Sequence, residues 1–399
     1  MLLSASTFAL PTTQELTPEQ VQLKQAVFTF IQDHLNDAQS AVFMISGDAG
    51  SGKSAVLNTI FTELEQQAGN QTSPFSQTDN HLLVNHNEML KIYRELAGQN
   101  PFLHKNRFEK PTPFINRYQK KGQHADVVFV DEAQLLLSQS DPFNHFNGDN
   151  QLAELLKLAQ VLVLVLDFNQ VVKLKSYWSR ERVAQLLAGK TVKVAQLHQQ
   201  LRMADEQVTT WVDQFVAGHL QPFPQTRGYE LRVFDDGQPL FDWVKRHDRQ
   251  SGLSRVLATT DFPFRVYTAQ PWYVTAGTLR LPWDRYNRAD RPWASQPQTI
   301  NEVGSIYTIQ GFDLNYAGVI LGPSVTYSLK THQIELLPEK FEDQTAFRQR
   351  KQHDLASLPQ AQLALVKHVL NILLKRGRLG LGLYAVDPAL EAQLLKLAQ

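Results

Sequence analysis

Gly47-Asp48-Ala49-Gly50-Ser51-Gly52-Lys53-Ser54 fits the pattern G-x-x-x-x-G-K-[ST]. The preceding run, Ala41-Val42-Phe43-Met44-Ile45, is short, apolar and partly β-branched, and reads as a buried strand. The following run, Ala55 to Phe61, reads as a helix with an apolar face. A glycine-rich loop between strand and helix is the context this pattern needs. Its glycines let the backbone curl and aim successive N–H groups at a phosphate chain. The new helix turns its positive dipole end toward the same anion. In that geometry Gly47, Asp48, Ala49, Gly50, Ser51 and Gly52 cradle phosphate, Lys53 reaches the β- and γ-phosphates, and Ser54 ligates Mg²⁺.

Two further stretches belong with this loop. Val127-Val128-Phe129-Val130 reads as a strand buried on both faces, and it runs straight into Asp131-Glu132-Ala133-Gln134. Ligands of parallel α/β sheets sit beyond the carboxyl ends of the strands. Asp131 is therefore expected to share the Mg²⁺ with Ser54, and Glu132 to polarise an attacking water. Val161 to Leu166 is a third buried strand, ending in Asp167-Phe168-Asn169-Gln170. Asp167 and Gln170 are placed either to sense a γ-phosphate or to make an ordinary strand-end turn.

The chain has 399 residues, 43% of them hydrophobic, enough for a packed core and for two or three domains. It has no cysteine, which excludes disulfides and cysteine-based zinc sites and fits a reducing, cytoplasmic setting. The start lacks a basic segment and meets Pro11 early, so no signal peptide is expected; the longest apolar run is too short to span a bilayer, so no membrane partner is expected. Formal net charge is zero, which weighs against a broad nucleic-acid-binding face but not against a local groove.

Elsewhere, Thr17-Pro18-Glu19-Gln20 opens a helix as a capping box. Gln20 is there either a capping side chain or an adenine contact, and Lys24 one turn on is read as solvated. Residues 100–123 form the most basic part of the first half, with Lys105, Arg107, Lys110, Arg117, Lys120 and Lys121. They make either an exposed surface or a track for single-stranded phosphate. Between Phe262 and Trp293, tryptophans and arginines interleave; half-buried Trp packed by Arg stems is preferred to a base-stacking platform. Residues 330–360 are polar and read as a mobile insertion or exposed helix, before an amphipathic helix from Gln362 to Arg376 and a strand at Gly382 to Val386.

The order of these stretches resembles a superfamily 1 helicase core. More narrowly, the chain is similar to the Schlafen group 3-like DNA/RNA helicase domain, taken as a bacterial family of P-loop ATPases. The resemblance runs from Leu16 to Asp387 and is carried by the glycine-rich loop, by Asp131-Glu132-Ala133-Gln134, by Ile306-Tyr307-Thr308-Ile309-Gln310-Gly311-Phe312-Asp313 and by Asn371-Ile372-Leu373-Leu374-Lys375-Arg376-Gly377. It implies that Gln20 reads adenine and that Gln170 senses the γ-phosphate. It further implies that Arg202, in Gln200-Leu201-Arg202, and Arg376 reach the γ-phosphate as arginine fingers, and that Thr308, Gln310 and Gly311 link nucleotide to nucleic acid. One departure is Lys375, where the family usually has Thr.

The expectation is an α/β protein of two RecA-like P-loop NTPase domains, parallel sheets flanked by helices, over residues 1–195 and 196–399. ATP and Mg²⁺ would lie in the cleft between them. The implied activity is ATP hydrolysis driving movement along single-stranded DNA or RNA. The rival reading is a nucleotide-dependent switch or scaffold that binds a protein partner and never translocates. A small-molecule kinase fits poorly, since the second half would then have no evident task.

Overall fold

A computed structural model describes residues 16–47, 50–197, 205–264, 272–283, 291–309, 311–347 and 358–398. The chain divides into two compact units: Phe8–Val171 with Lys175–Gln200, and Leu201–Gln399 with Val172–Leu174. Each is an α/β layer structure with its own parallel sheet.

In the first unit the elements run α1 (Pro18–His34), β1 (Ala41–Gly47), α2 (Lys53–Ala68), β2 (Asn80–Val84), α3 (Asn87–Gln99), β3 (Phe108–Glu109), α4 (Pro111–Lys121), β4 (Ala125–Asp131), α5 (Gln151–Leu158), β5 (Ala159–Leu166), α6 (Arg180–Leu186) and β6 (Thr191–Leu197). The six strands lie in the order β3-β2-β4-β5-β1-β6. Every pairing is parallel, so β1, β4 and β5 all end on one edge. β5 sits between the strand before the glycine-rich loop and the strand that ends in Asp131, with Val161 opposite both Ala41 and Val127. Alternation along β1 divides the core. Val42 and Met44 pack with Phe114, Leu155 and Trp178 on the α4–α6 face, while Phe43 meets Phe30 of α1 edge-on at 5.3 Å. α1 starts as expected, with Thr17 and Gln20 forming both bonds of a capping box.

The second unit contains α7 (Glu206–Ala217), β7 (Glu230–Val233), α8 (Gly237–Ser251), β8 (Ser254–Ala258), β9 (Tyr273–Ala276), β10 (Leu279–Pro282), β11 (Val303–Gly304), α9 (Ile306–Ile309), β12 (Leu314–Leu321), β13 (Val325–Ser328), β14 (Gln333–Leu336), α10 (Leu358–Leu374), β15 (Gly377–Ala385) and α11 (Pro388–Leu397). Its main sheet has the order β11-β8-β12-β15-β7, again parallel. Gly318 of β12 lies opposite Gly382 of β15. A side chain at Gly318 would come within 2.6 Å of Val244, and one at Gly382 within 2.7 Å of Leu240. The glycine pair is what lets α8 lie close on the sheet, over a core that includes Trp243, Val256 and Ile320.

Three expectations are corrected here. The start of the 330–360 stretch is strand and not helix: β13 and β14 pair antiparallel as a hairpin, with Ser328 opposite Gln333, while residues 348–357 lie outside the described residues. A second hairpin, β9–β10, was not anticipated; Asp236, which caps α8, also accepts hydrogen bonds from the Thr278 amide and hydroxyl at its tip. The basic stretch contains α4, hidden by its prolines, which fall in the first turn, where a missing N–H costs nothing. The tryptophans behave as core. Trp283 and Trp293 are buried, and Trp293 donates to Glu302 at 3.1 Å.

Candidate active site

The ends of β1, β4 and β5 bring the first unit's chemistry together. β1 stops at Gly47, and the chain turns through Gly50 and Gly52, whose φ values of 90° and 77° lie in the left-handed region. Gly52 is the N-cap of α2, so Lys53 and Ser54 open that helix. Gly47 itself has no room for a side chain: a β-carbon would fall 2.8 Å from the Leu197 carbonyl and 2.9 Å from Ser51 Oγ. Lys53 is almost buried; its ammonium donates to the Gly47 carbonyl at 2.7 Å and lies 3.6 Å from Asp167. Asp48 and Ala49 lie outside the described residues.

Ser54 Oγ donates to Asp131 Oδ1 at 3.2 Å, which joins the loop to the acidic strand end. The same oxygen accepts from the Glu132 amide at 3.0 Å, and Oδ2 accepts from Tyr93 at 2.5 Å. Asp131 is fully buried. Burial raises its carboxyl above the ordinary range, against the pull of Tyr93, Ser54, the Glu132 amide and the Lys53 charge. Burial and the adjacent Asp131 charge push the Tyr93 hydroxyl well above its usual value, so it is a donor here.

Glu132 sits at φ 50°, ψ 47°, a left-handed conformation that a non-glycine residue adopts at a cost of about 1–3 kcal/mol. Gln134, fully buried, donates to the Glu132 carboxylate, and its own carbonyl accepts from the Asp167 amide at 3.1 Å. Gln170 donates to Asp167 Oδ2 at 2.6 Å, and Asp167 Oδ1 accepts from the Asn169 amide. Lys53, Asp167 and Gln170 therefore form one chain of contacts, and Asp131, Glu132 and Gln134 a second, joined at the Asp167 amide.

Gln20 reaches the same loop. It keeps its capping role with Thr17, and its side-chain N–H₂ also approaches the Ser51 carbonyl at 3.4 Å. Lys24 is not solvated; it is buried against Glu63 at 2.7 Å.

The site's missed members are Tyr93 and Gln134. Tyr93 lies on the apolar face of α3, and nothing in the sequence separates it from its core neighbours. For Gln134 the one signal was its place two residues after Glu132.

In the second unit, Thr308 Oγ accepts from the Ser305 amide at 2.9 Å, and Gly311 has φ 80°. Arg376 is turned into its own unit: it is 1% exposed, donates to the Phe312 carbonyl at 3.3 Å and lies 3.6 Å from Asp313. Lys375 pairs with Asp213. Gln200, Arg202 and Gln310 lie outside the described residues.

The basic stretch is less free than its composition suggests. Arg107 pairs with Asp79, and Arg117 donates to Glu109 through its two terminal guanidinium nitrogens. Lys105, Lys120 and Lys121 remain exposed.

The donors present suit a small hard cation. Ser54 Oγ and the Asp131 carboxylate are adjacent oxygens at the end of the loop, and Mg²⁺ is commonly held by one or two such groups plus phosphate oxygens. Among the described residues no group of three or more His, Cys, Asp or Glu is placed to hold a metal without such help.

Residues 40–387 match the family described as Schlafen group 3, DNA/RNA helicase domain. The chain belongs to that family. It is also 39% identical to the uncharacterized protein YPL245W of Saccharomyces cerevisiae, over 96% of this chain and 90% of the yeast protein. This relative is from yeast, so it does not bear out the expectation of a bacterial family. Among solved structures it overlaps the Pif1 helicase of Candida albicans at 16% identity and TM-score 0.31, covering 59% of this chain and 55% of that one. It overlaps domain III of the replication initiation protein DnaA of Thermotoga maritima at 15% identity and TM-score 0.27, covering 54% and 75%. The chain thus spans about half the length of the solved helicase it matches. Among the described residues no helix is long and apolar enough to cross a membrane.

Proposed function

We propose that this member of the helicase-domain family is an ATPase of the superfamily 1 type, built of two RecA-like units, that hydrolyses ATP to move along single-stranded DNA or RNA. The observation that carries the reading is the meeting of Ser54 with Asp131 at 3.2 Å while Lys53 lies over the loop. The two stretches are separated by 77 positions in the chain, and they converge on the edge where a triphosphate would lie.

In this reading the amides from Gly47 to Ser54 and the Lys53 ammonium bind phosphate. Lys53 exchanges its contact with the Gly47 carbonyl for phosphate oxygen. Ser54 and Asp131 hold Mg²⁺, which when bound neutralises charge on the transferring phosphoryl group. Glu132, steadied by Gln134, orients water and takes up its proton. Gln170 reports the γ-phosphate through Asp167. Gln20 reads adenine beside Ser51, and Arg202 and Arg376 complete the site from the second unit. For Arg376 this requires leaving the Phe312 carbonyl, so a step that frees it would precede hydrolysis. An arginine finger contributes roughly 10³–10⁵ in rate.

The test is ATP turnover with and without single-stranded DNA or RNA at several salt concentrations. Lys53→Ala and Glu132→Gln are each expected to abolish turnover, and wild-type turnover to rise with a strand, more weakly as salt increases. Turnover surviving both substitutions would remove the site.

The ion pairs of Arg107 and Arg117 favour a second reading, in which the protein is a nucleotide-dependent switch or scaffold for a protein partner. Turnover that no strand stimulates would favour it.

A further inference from the structure

We propose that Tyr93 is a positioning residue for the metal-holding carboxylate: its hydroxyl pins Asp131 Oδ2 so that Oδ1 alone, beside Ser54, is presented to Mg²⁺. The inference rests on the nucleotide-site reading above. A carboxylate's terminal torsion is broad and roughly two-fold, so nothing in an aspartate's own geometry keeps one oxygen forward. Here the two oxygens have different partners. Oδ1 faces Ser54 Oγ and the Glu132 amide, and Oδ2 faces the Tyr93 hydroxyl.

The pin is braced by the elements that carry the ligands. The Tyr93 ring stacks on Phe108 with centroids 5.7 Å apart and planes 13° from parallel. Phe108 meets Phe61 edge-on at 5.2 Å, and Phe61 meets Phe129 at 5.5 Å. Phe61 stands on α2, the helix that Lys53 and Ser54 open, and Phe129 stands on β4, two residues before Asp131. The series of rings runs from the tyrosine to the helix and the strand that supply the two ligand oxygens. Partners that orient a ligand in this way typically control metal affinity by roughly 10–100-fold.

The experiment uses the full chain and a fluorescent non-hydrolysable ATP analogue, N-methylanthraniloyl-AMPPNP. Its Kd is measured in excess Mg²⁺ and in EDTA, for wild type, Tyr93→Phe and Phe108→Leu. Tyr93→Phe keeps the ring and removes the hydroxyl. It is expected to leave the Kd in EDTA within about twofold of wild type and to raise the Kd in Mg²⁺ by roughly 10-fold or more. The half-saturating Mg²⁺ concentration should rise in parallel. Phe108→Leu loosens the bracing but keeps the hydroxyl, and is expected to raise the Kd in Mg²⁺ by less than Tyr93→Phe does. Three results overturn the inference: equal losses in Mg²⁺ and EDTA, an unchanged ratio of the two, or a Tyr93→Phe protein that fails to fold where Phe108→Leu folds. Wild-type protein that binds the analogue without any Mg²⁺ dependence would instead overturn the metal-site reading itself, and the inference with it.

Discussion

Gln134 shows how much one side chain decides in this site. It is the shared partner of Glu132 and the Asp167 amide, and it has no access to solvent. Gln134→Ala should cost about 1–3 kcal/mol of stability, because the Asp167 N–H is left buried without an acceptor. It should also let the Glu132 carboxylate drift, and a misplacement of about 1 Å lowers turnover on the order of 10²-fold. KM for ATP should change little, since Gln134 touches no phosphate-binding group. Steady-state kinetics and urea denaturation of the variant check both parts. A KM effect as large as the kcat effect would mean that Gln134 supports binding rather than catalysis. From the sequence, Asp131 and Glu132 were legible because a hydrophobic strand ending in two acids is a local pattern. Gln134 was quoted with them but had no readable role, since both of its partners are set by how β4 and β5 lie side by side.

The corner formed by β2, β3 and α4 is held by charge as well as by packing. His81 is buried between carboxylates: its Nε2 lies 3.3 Å from Asp79, and its Nδ1 lies 3.4 Å from Glu109. Tyr118 and Arg107 also face this ring, at 2.7 and 3.2 Å from Nε2, and Arg117 binds Glu109. Burial opposes charge on His81, but the two carboxylates outweigh it and raise the imidazole above its usual value. Burial likewise opposes charge on Asp79, and hydrogen bonds from His81, Tyr118 and Arg107 carry that carboxyl well below its usual range. The signs follow from linkage. The His81 contribution is full below its unfolded value, about pH 6.5, and is lost as pH rises through the raised folded value. The Asp79 contribution is present above about pH 3.9 and is lost as pH falls through the depressed one. The corner is therefore tightest between these two limits. His81→Gln should destabilise the first unit more at pH 6 than at pH 9, read as the shift in urea midpoint against wild type. An equal shift at both values would show that the imidazole acts by packing alone. The sequence displayed the cations of this corner as a possible phosphate track. It did not display that Asp79, from another segment, and Glu109, within the stretch itself, claim Arg107 and Arg117.

Two units with separate cores predict two unfolding events. Trp178 lies in the first unit, whereas Trp211, Trp243, Trp272, Trp283 and Trp293 lie in the second. Tryptophan fluorescence should thus follow mainly the second unit, while circular dichroism follows both. A non-hydrolysable ATP analogue with Mg²⁺ at about 100 times its Kd should stabilise the unit carrying the glycine-rich loop by about 2.7 kcal/mol. The circular dichroism transition should move and the fluorescence transition should lag behind it. A single coincident transition, displaced as a whole by nucleotide, would show that the halves unfold together.

The sequence by itself determined the glycine-rich loop, the acidic strand end and the parallel α/β class, because each rests on contiguous residues whose spacing and backbone freedom are local properties. Tertiary structure alone decided that Tyr93 meets Asp131, that Gln134 joins Glu132 to Asp167, that Arg376 points into its own unit, and that the basic stretch is partly neutralised. Most of those contacts join groups far apart in the chain, and the stacking of strands in the order β3-β2-β4-β5-β1-β6 brings the first unit's distant partners within hydrogen-bonding distance.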